Sequence, residues 1–303
     1  MRPALLLALL LAGCAGVPPA PRGPDVELAA VPFFPQQRYQ CGPAALATVL
    51  RHAGRPVTPG ALVSEVWLPG RRGSLQLELV AAVRSRGLVP YRPPPRLDAL
   101  LAELRAGRPV LVLLNLGLRA APVWHYAVVV GYRTDPPRLI LRSGTTRRRA
   151  VPLRRFRRQW GLAGRWALVV LPPDRLPAGD DPAGYLRAVA GLEATGQGTA
   201  AARAYRSALR RWPDQPPAWL GLGNLAAAAG RWAAAADHYR RALALRPGWP
   251  PAVNNLAEAE ARLGRRGAAL RLLDAALARP DLAPRWRTVL RRTRAEVADP
   301  VPP

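Results

Sequence analysis

The 303-residue sequence contains no lysine, two cysteines, three histidines and one methionine, and no apolar run long enough to span a bilayer. Two cysteines exclude a disulfide-stapled scaffold and a structural zinc site built on four thiolates. Three histidines (His52, His125 and His238) leave too little for a His-rich metal site. No metal or organic cofactor is implied. With lysine absent, all 45 basic residues are arginine, alongside 35 Pro and 26 Gly, which reads as the codon bias of a GC-rich genome. That bias explains the choice of Arg but not the surplus of charge over 19 acidic residues, a formal net charge of +26. Such a surplus favours anionic surfaces (acidic lipid, polyanionic glycan or nucleic acid), or is a solvated basic face. The length allows about two folded units, each with its own core.

Met1-Arg2 is a short positive start, and Ala4 to Ala12 (ALLLALLLA) is far below the ~20 residues of a membrane span, so it reads as a targeting segment. Leu11-Ala12-Gly13-Cys14 resembles a bacterial lipobox. That resemblance implies cleavage before Cys14, lipidation of Cys14 and a stable acyl anchor. The resemblance to lipoproteins also implies, with Ala15 rather than Asp in the next position, outer-membrane retention facing the periplasm. The Pro-rich stretch Ala15 to Pro24 reads as an extended tether. Once Cys14 is consumed as a thioether, Cys41 is the only remaining thiol.

Val31 to Phe34 is a β-prone run, Pro35 to Gln40 a polar loop, and Cys41-Gly42-Pro43 opens a helix that Gly54 stops. A cysteine at a helix N-terminus faces free N–H groups and the positive end of the macrodipole, which lower a thiol pKa and favour a nucleophile. His125 heads the strand Val123 to Tyr132, apolar on both faces, and is the candidate base. His52 falls on the last turn of the Cys41 helix, about three turns away.

The blocks VPFFPQxxxxCGPAALATVL and WHYAVVVGY resemble papain-like peptidases of the bacteriocin-processing, double-glycine-leader type, over roughly Val31 to Pro172. The resemblance implies a papain-like α+β fold, Cys41 as nucleophile, His125 as general base, and an oxyanion hole made by the Cys41 backbone N–H and a glutamine side chain. Gln36 is preferred for that hole, with Gln37 one residue away. One position departs from the family: the strand after His125 ends in Ser143-Gly144 where the family has Asp-Pro, so Ser143 takes the orienting position without a negative charge. Asp135 lies in a turn and reads as a turn former.

Between these blocks, Leu97 to Gly107 reads as a helix and Val110 to Leu116 as a buried strand with a structural Asn115 near its end. Arg147 to Trp160 carries seven arginines with Phe156 and Trp160 interleaved. This stretch reads as a solvated face, as a surface for anionic headgroups or glycan, or as a stacking surface for single-stranded nucleic acid, the last disfavoured by export.

Beyond a Pro/Asp-rich linker, self-comparison gives a period of 34: Asp181-Pro182, Gln215-Pro216 and Trp249-Pro250 are equivalent. Trp219, Leu222, Gly223, Gly230, Ala235, Tyr239, Ala242 and Pro247 stand at tetratricopeptide-repeat spacing. The expected layout is a signal peptide over 1–13, a tether over 14–30, an α+β papain-like cysteine peptidase domain over 31–172, a linker over 173–181, and an all-α tetratricopeptide-repeat solenoid with a closing helix over 182–298. The leading functional expectation is a membrane-anchored periplasmic cysteine peptidase whose repeats recruit a protein substrate or partner. The alternatives are a catalytically silent peptide-binding adaptor lipoprotein and a cell-wall amidase of the NlpC type. Nucleic acid is not an expected partner.

Overall fold

The computed structural model describes residues 23–37 and 39–299. The expected signal peptide, the expected lipidation site Cys14 and most of the expected tether lie outside the described residues.

The first unit is built on an antiparallel sheet. Its strands are β1 (Val26–Glu27), β2 (Val89–Tyr91), β3 (Val110–Asn115), β4 (Trp124–Arg133), β5 (Arg138–Ser143), β6 (Thr146–Pro152) and β7 (Ala167–Leu171). They run in the order β2-β7-β3-β4-β5-β6, with β1 paired to the far end of β4. Helices α1 (Cys41–His52), α2 (Pro59–Val66) and α3 (Gln76–Arg84) cover one face. On the other face lie α4 (Leu97–Arg105) and α5 (Leu153–Leu162). Because both faces are covered, β3 is apolar at every position from Val110 to Leu114: Leu111 and Leu113 join one core, Val110, Val112 and Leu114 the other. This produces the uninterrupted hydrophobic runs of the sequence, since a strand buried on both sides loses the usual polar alternation.

The 31–34 run is not a strand. The carbonyl of Val31 is instead taken by the buried Arg142 guanidinium, which also binds the carbonyls of Ala29 and Arg147. The arginine-rich stretch divides into β6 and α5. Phe156 and Trp160 are only 0% and 2% exposed and stack on one another at 5.7 Å inside the core. They are therefore packing residues, which removes the stacking surface for bases.

The second unit consists of α6 (Pro182–Glu193), α7 (Gly198–Arg211), α8 (Pro216–Ala228), α9 (Trp232–Leu245), α10 (Pro250–Arg262), α11 (Arg266–Leu277) and α12 (Pro284–Ala298). Prolines 182, 216, 250 and 284 each open a helix, so the 34-residue spacing extends to α12. Proline suits the first helical position because its missing N–H would be unpaired there anyway. The ring of Tyr205 fills the space over Gly221 in the next repeat, where a Cβ would collide with it. Small residues thus let aromatic rings close the gaps between stacked helices. Among the described residues, no helix is long and apolar enough to cross a membrane.

The two units share one core. Tyr185, Leu186 and Val189 of α6 belong to the same buried cluster as Val89, Tyr91 and Leu171. Asp181 caps α6 through the Gly184 N–H and accepts a hydrogen bond from Tyr91 Oη at 3.0 Å. Buried Glu103 holds Arg108 and the Ala178 N–H together. Replacing Tyr185 by Ala empties a fully buried site and is expected to cost about 3–5 kcal/mol. Because the core is continuous, calorimetry should find the transitions of both units lowered, not that of the helices alone.

Candidate active site

Cys41 is the first residue of α1, and its sulfur is reached by the backbone N–H groups of Gly42, of Cys41 itself and of Tyr126. Tyr126 follows His125 in β4, so the sulfur is seated at the strand position next to the histidine. Close packing at the helix start requires Gly42, since a Cβ there would collide with the Ser74 side chain. Tyr126 braces the same contact by donating its hydroxyl to the Ser74 carbonyl at 3.3 Å, while its ring meets Trp166 edge-on. Cys41 and His125 line one open cavity of about 730 Å³, together with Gln36, Tyr39, Arg71, Arg72, Ser74, Trp124 and Tyr126.

Gln36 lines this cavity and a smaller one behind Cys41, and its backbone N–H donates to the Gly144 carbonyl at 3.1 Å. Gln37 is exposed and lines neither. Ser143 is 6% exposed, and its Oγ lies 2.8 Å from His125 Nε2, leaving Nδ1 free of that contact. Asp135 sits in the β4–β5 turn. His52 Nε2 lies 3.1 Å from the Gly107 carbonyl, and His238 stacks on Trp219 in the helical unit. Asn115 accepts from the Gly117 and Val123 N–H groups and donates to the Leu118 carbonyl, closing the loop that delivers β4.

The electrostatics differ from the expectation for a helix N-terminus. Burial pushes the Cys41 thiol up, and the three N–H groups facing the sulfur do not outweigh it. Burial, assisted by the Arg149 guanidinium, pushes the His125 imidazole down to about 4. The side of His125 that carries a carboxylate in the resembled family holds a serine hydroxyl and an arginine here. Tyr126, Ser74, Arg142 and Arg149 were not singled out from the sequence. Tyr126 acts through its backbone, and Arg149 was one arginine among seven, so neither carried a residue-type signal. Among the described residues, no group of three or more His, Cys, Asp and Glu converges on a point.

With His125 neutral in the fold and an ordinary value of 6.5, the unfolded chain binds more protons between the two values. The contribution is full above about 6.5 and is lost as pH falls towards about 4. Denaturant unfolding across this range should find stability falling with pH, and His125→Gln should flatten the part of that slope due to this residue.

Comparison with known proteins agrees with this architecture. Residues 28–168 match the family model described as Peptidase_C39 like family. Two tetratricopeptide-repeat models match residues 188–250 and 226–292. No curated protein matches the sequence. Among solved structures, a C39-like peptidase from Bacillus anthracis is similar at 20% identity and a TM-score of 0.41, over 49% of this chain and 98% of that one. The chain therefore joins a Peptidase_C39-like domain to a run of tetratricopeptide repeats.

Proposed function

We propose that this protein is a cysteine peptidase that cleaves or transfers a peptide amide bond through a Cys41 thioester. The observation that carries this reading is that Cys41 at the start of α1, His125 near the start of β4 and Gln36 line one cavity. In the proposed cycle, His125 donates Nε2–H to Ser143 and takes the thiol proton on the other ring nitrogen as sulfur attacks the substrate carbonyl. The Gln36 side-chain amide and the Cys41 backbone N–H stabilise the oxyanion. The imidazolium then protonates the leaving amine, and water or a second amine resolves the thioester. The repeats are protein-interaction modules, and we assign them the recruitment of a protein substrate or partner. The lipobox-like Leu11 to Cys14 supports anchoring of the mature chain at the outer membrane, facing the periplasm.

A second reading, a catalytically silent peptide-binding adaptor, is favoured by one observation: His125 faces Arg149 rather than a carboxylate, and its imidazole is a weak base. Single-turnover assays with a peptide library separate the two. In the peptidase reading, Cys41→Ala and His125→Ala each lower the rate by about 10³-fold or more. Ser143→Asp introduces the missing charge beside Nε2 and should raise the rate about tenfold while moving its pH optimum up. An acyl-enzyme absent in the parent and in Ser143→Asp alike would leave the adaptor.

A further inference from the structure

The mechanism makes no use of a second cavity, on the far side of His125. It holds about 190 Å³ between β5, β6 and α5, opens to solvent beside the exposed Arg149 and Arg155, and has His125, Ser143, Arg149, Arg155 and Gln159 as its polar lining. That is several times the ~30 Å³ share of one water molecule in the liquid. The lining contains cations and hydrogen-bonding groups but no carboxylate.

Three independent features give this cavity the character of an anion seat. Among the described residues, neither Arg149 nor Arg155 is paired with an acidic side chain, although the neighbouring Arg148 is held by Glu27. Gln159 is only 9% exposed, lines the cavity, and its amide has no hydrogen-bond partner among the described residues. Arg155 and Pro152 sit at the start of α5, a ten-residue helix with no acidic residue in its first turn and no side-chain cap. Two guanidiniums without an acidic partner among the described residues and a helix N-terminus favour negative charge, and the Gln159 side chain can donate an N–H to it.

We propose that this cavity binds a carboxylate, held by Arg149 and Arg155 and accepting a hydrogen bond from the Ser143 hydroxyl. Ser143 in turn accepts the Nε2–H of His125, so the bound anion stabilises imidazolium through one hydroxyl. The ligand thus takes the electrostatic place of the missing acidic residue and neutralises the guanidinium that opposes protonation of His125. Its effect on turnover rests on the peptidase reading, whereas its binding does not. The other charged or titratable groups around His125 are Cys41 on α1, Tyr126 on β4 and Tyr39, Arg71 and Arg72 at the open cavity, none of them a carboxylate. Either a free small carboxylate or the C-terminal carboxylate of a peptide has the required chemistry.

The test is NMR titration of His125 in the full chain carrying Cys41→Ser, in acetate against chloride at equal ionic strength. The expected result is a saturable rise of about tenfold in His125 proton affinity with acetate. The rise should be absent in Arg149→Gln and in Ser143→Asp, which already carries the charge. A peptide with a free C-terminus that acts where its amide does not identifies peptide termini as the source, and acetate acting alone identifies a small metabolite-sized carboxylate. His125 titrating identically in acetate and chloride, or responding equally in Arg149→Gln, overturns the proposal. If peptides are hydrolysed while His125 ignores carboxylates, the anion site falls and the peptidase reading stands. If His125 responds but no peptide is cleaved by any form, the site stands and the peptidase reading falls.

Discussion

The β5–β6 turn is the joint on which the site depends. Ser143 fixes one nitrogen of His125, and the next residue, Gly144, offers its carbonyl to the Gln36 backbone. Immediately before them, the buried Arg142 guanidinium ties down the carbonyls of Ala29 and Val31, from which the Gln36 loop departs. Three consecutive residues therefore orient the histidine and suspend the glutamine segment beside α1. A buried arginine with several carbonyl partners suits this task, because leaving those acceptors unpaired costs more than any single hydrogen bond gains.

What this joint supplies is geometry without charge. In a buried site, creating a thiolate and an imidazolium from two neutral groups means desolvating both ions, and a nearby carboxylate ordinarily offsets part of that cost. Here the sulfur has three backbone N–H groups to favour its anion, whereas the imidazole has a hydroxyl on one side and a guanidinium nearby. The two halves of the pair are thus unequally supported, and the weak point is the cationic form of His125. The Cys41 helix opening, which looked like the decisive electrostatic device, is outweighed by burial.

The helix opening at Cys41, the strand headed by His125 and the 34-residue period were all legible, because each is written in local spacing. The pair Ser143-Gly144 was visible as a departure from a pattern. Invisible were contacts that depend on where the chain returns: Tyr126 reaches the sulfur through its backbone, and Arg142 meets residues more than a hundred positions earlier. Phe156 and Trp160 misled for a related reason, since an amphipathic helix between arginines looks the same in sequence whether its aromatics face solvent or core. The merging of α6 into the core of the sheet unit also escaped the sequence, where Pro/Asp-rich residues suggested a separating linker; Tyr91, Glu103 and Trp212 instead pin that segment down.

The protonation state of the pair at rest is the quantity closest to the chemistry, and ¹⁵N chemical shifts of the His125 ring report it directly. At neutral pH the structure predicts a single protonated nitrogen, Nε2, hydrogen-bonded to Ser143, and a Cys41 thiol that retains its proton. Protonation of both ring nitrogens at that pH, together with a Cys41 thiolate, would contradict the view that burial and the lack of a carboxylate side chain hold the pair neutral.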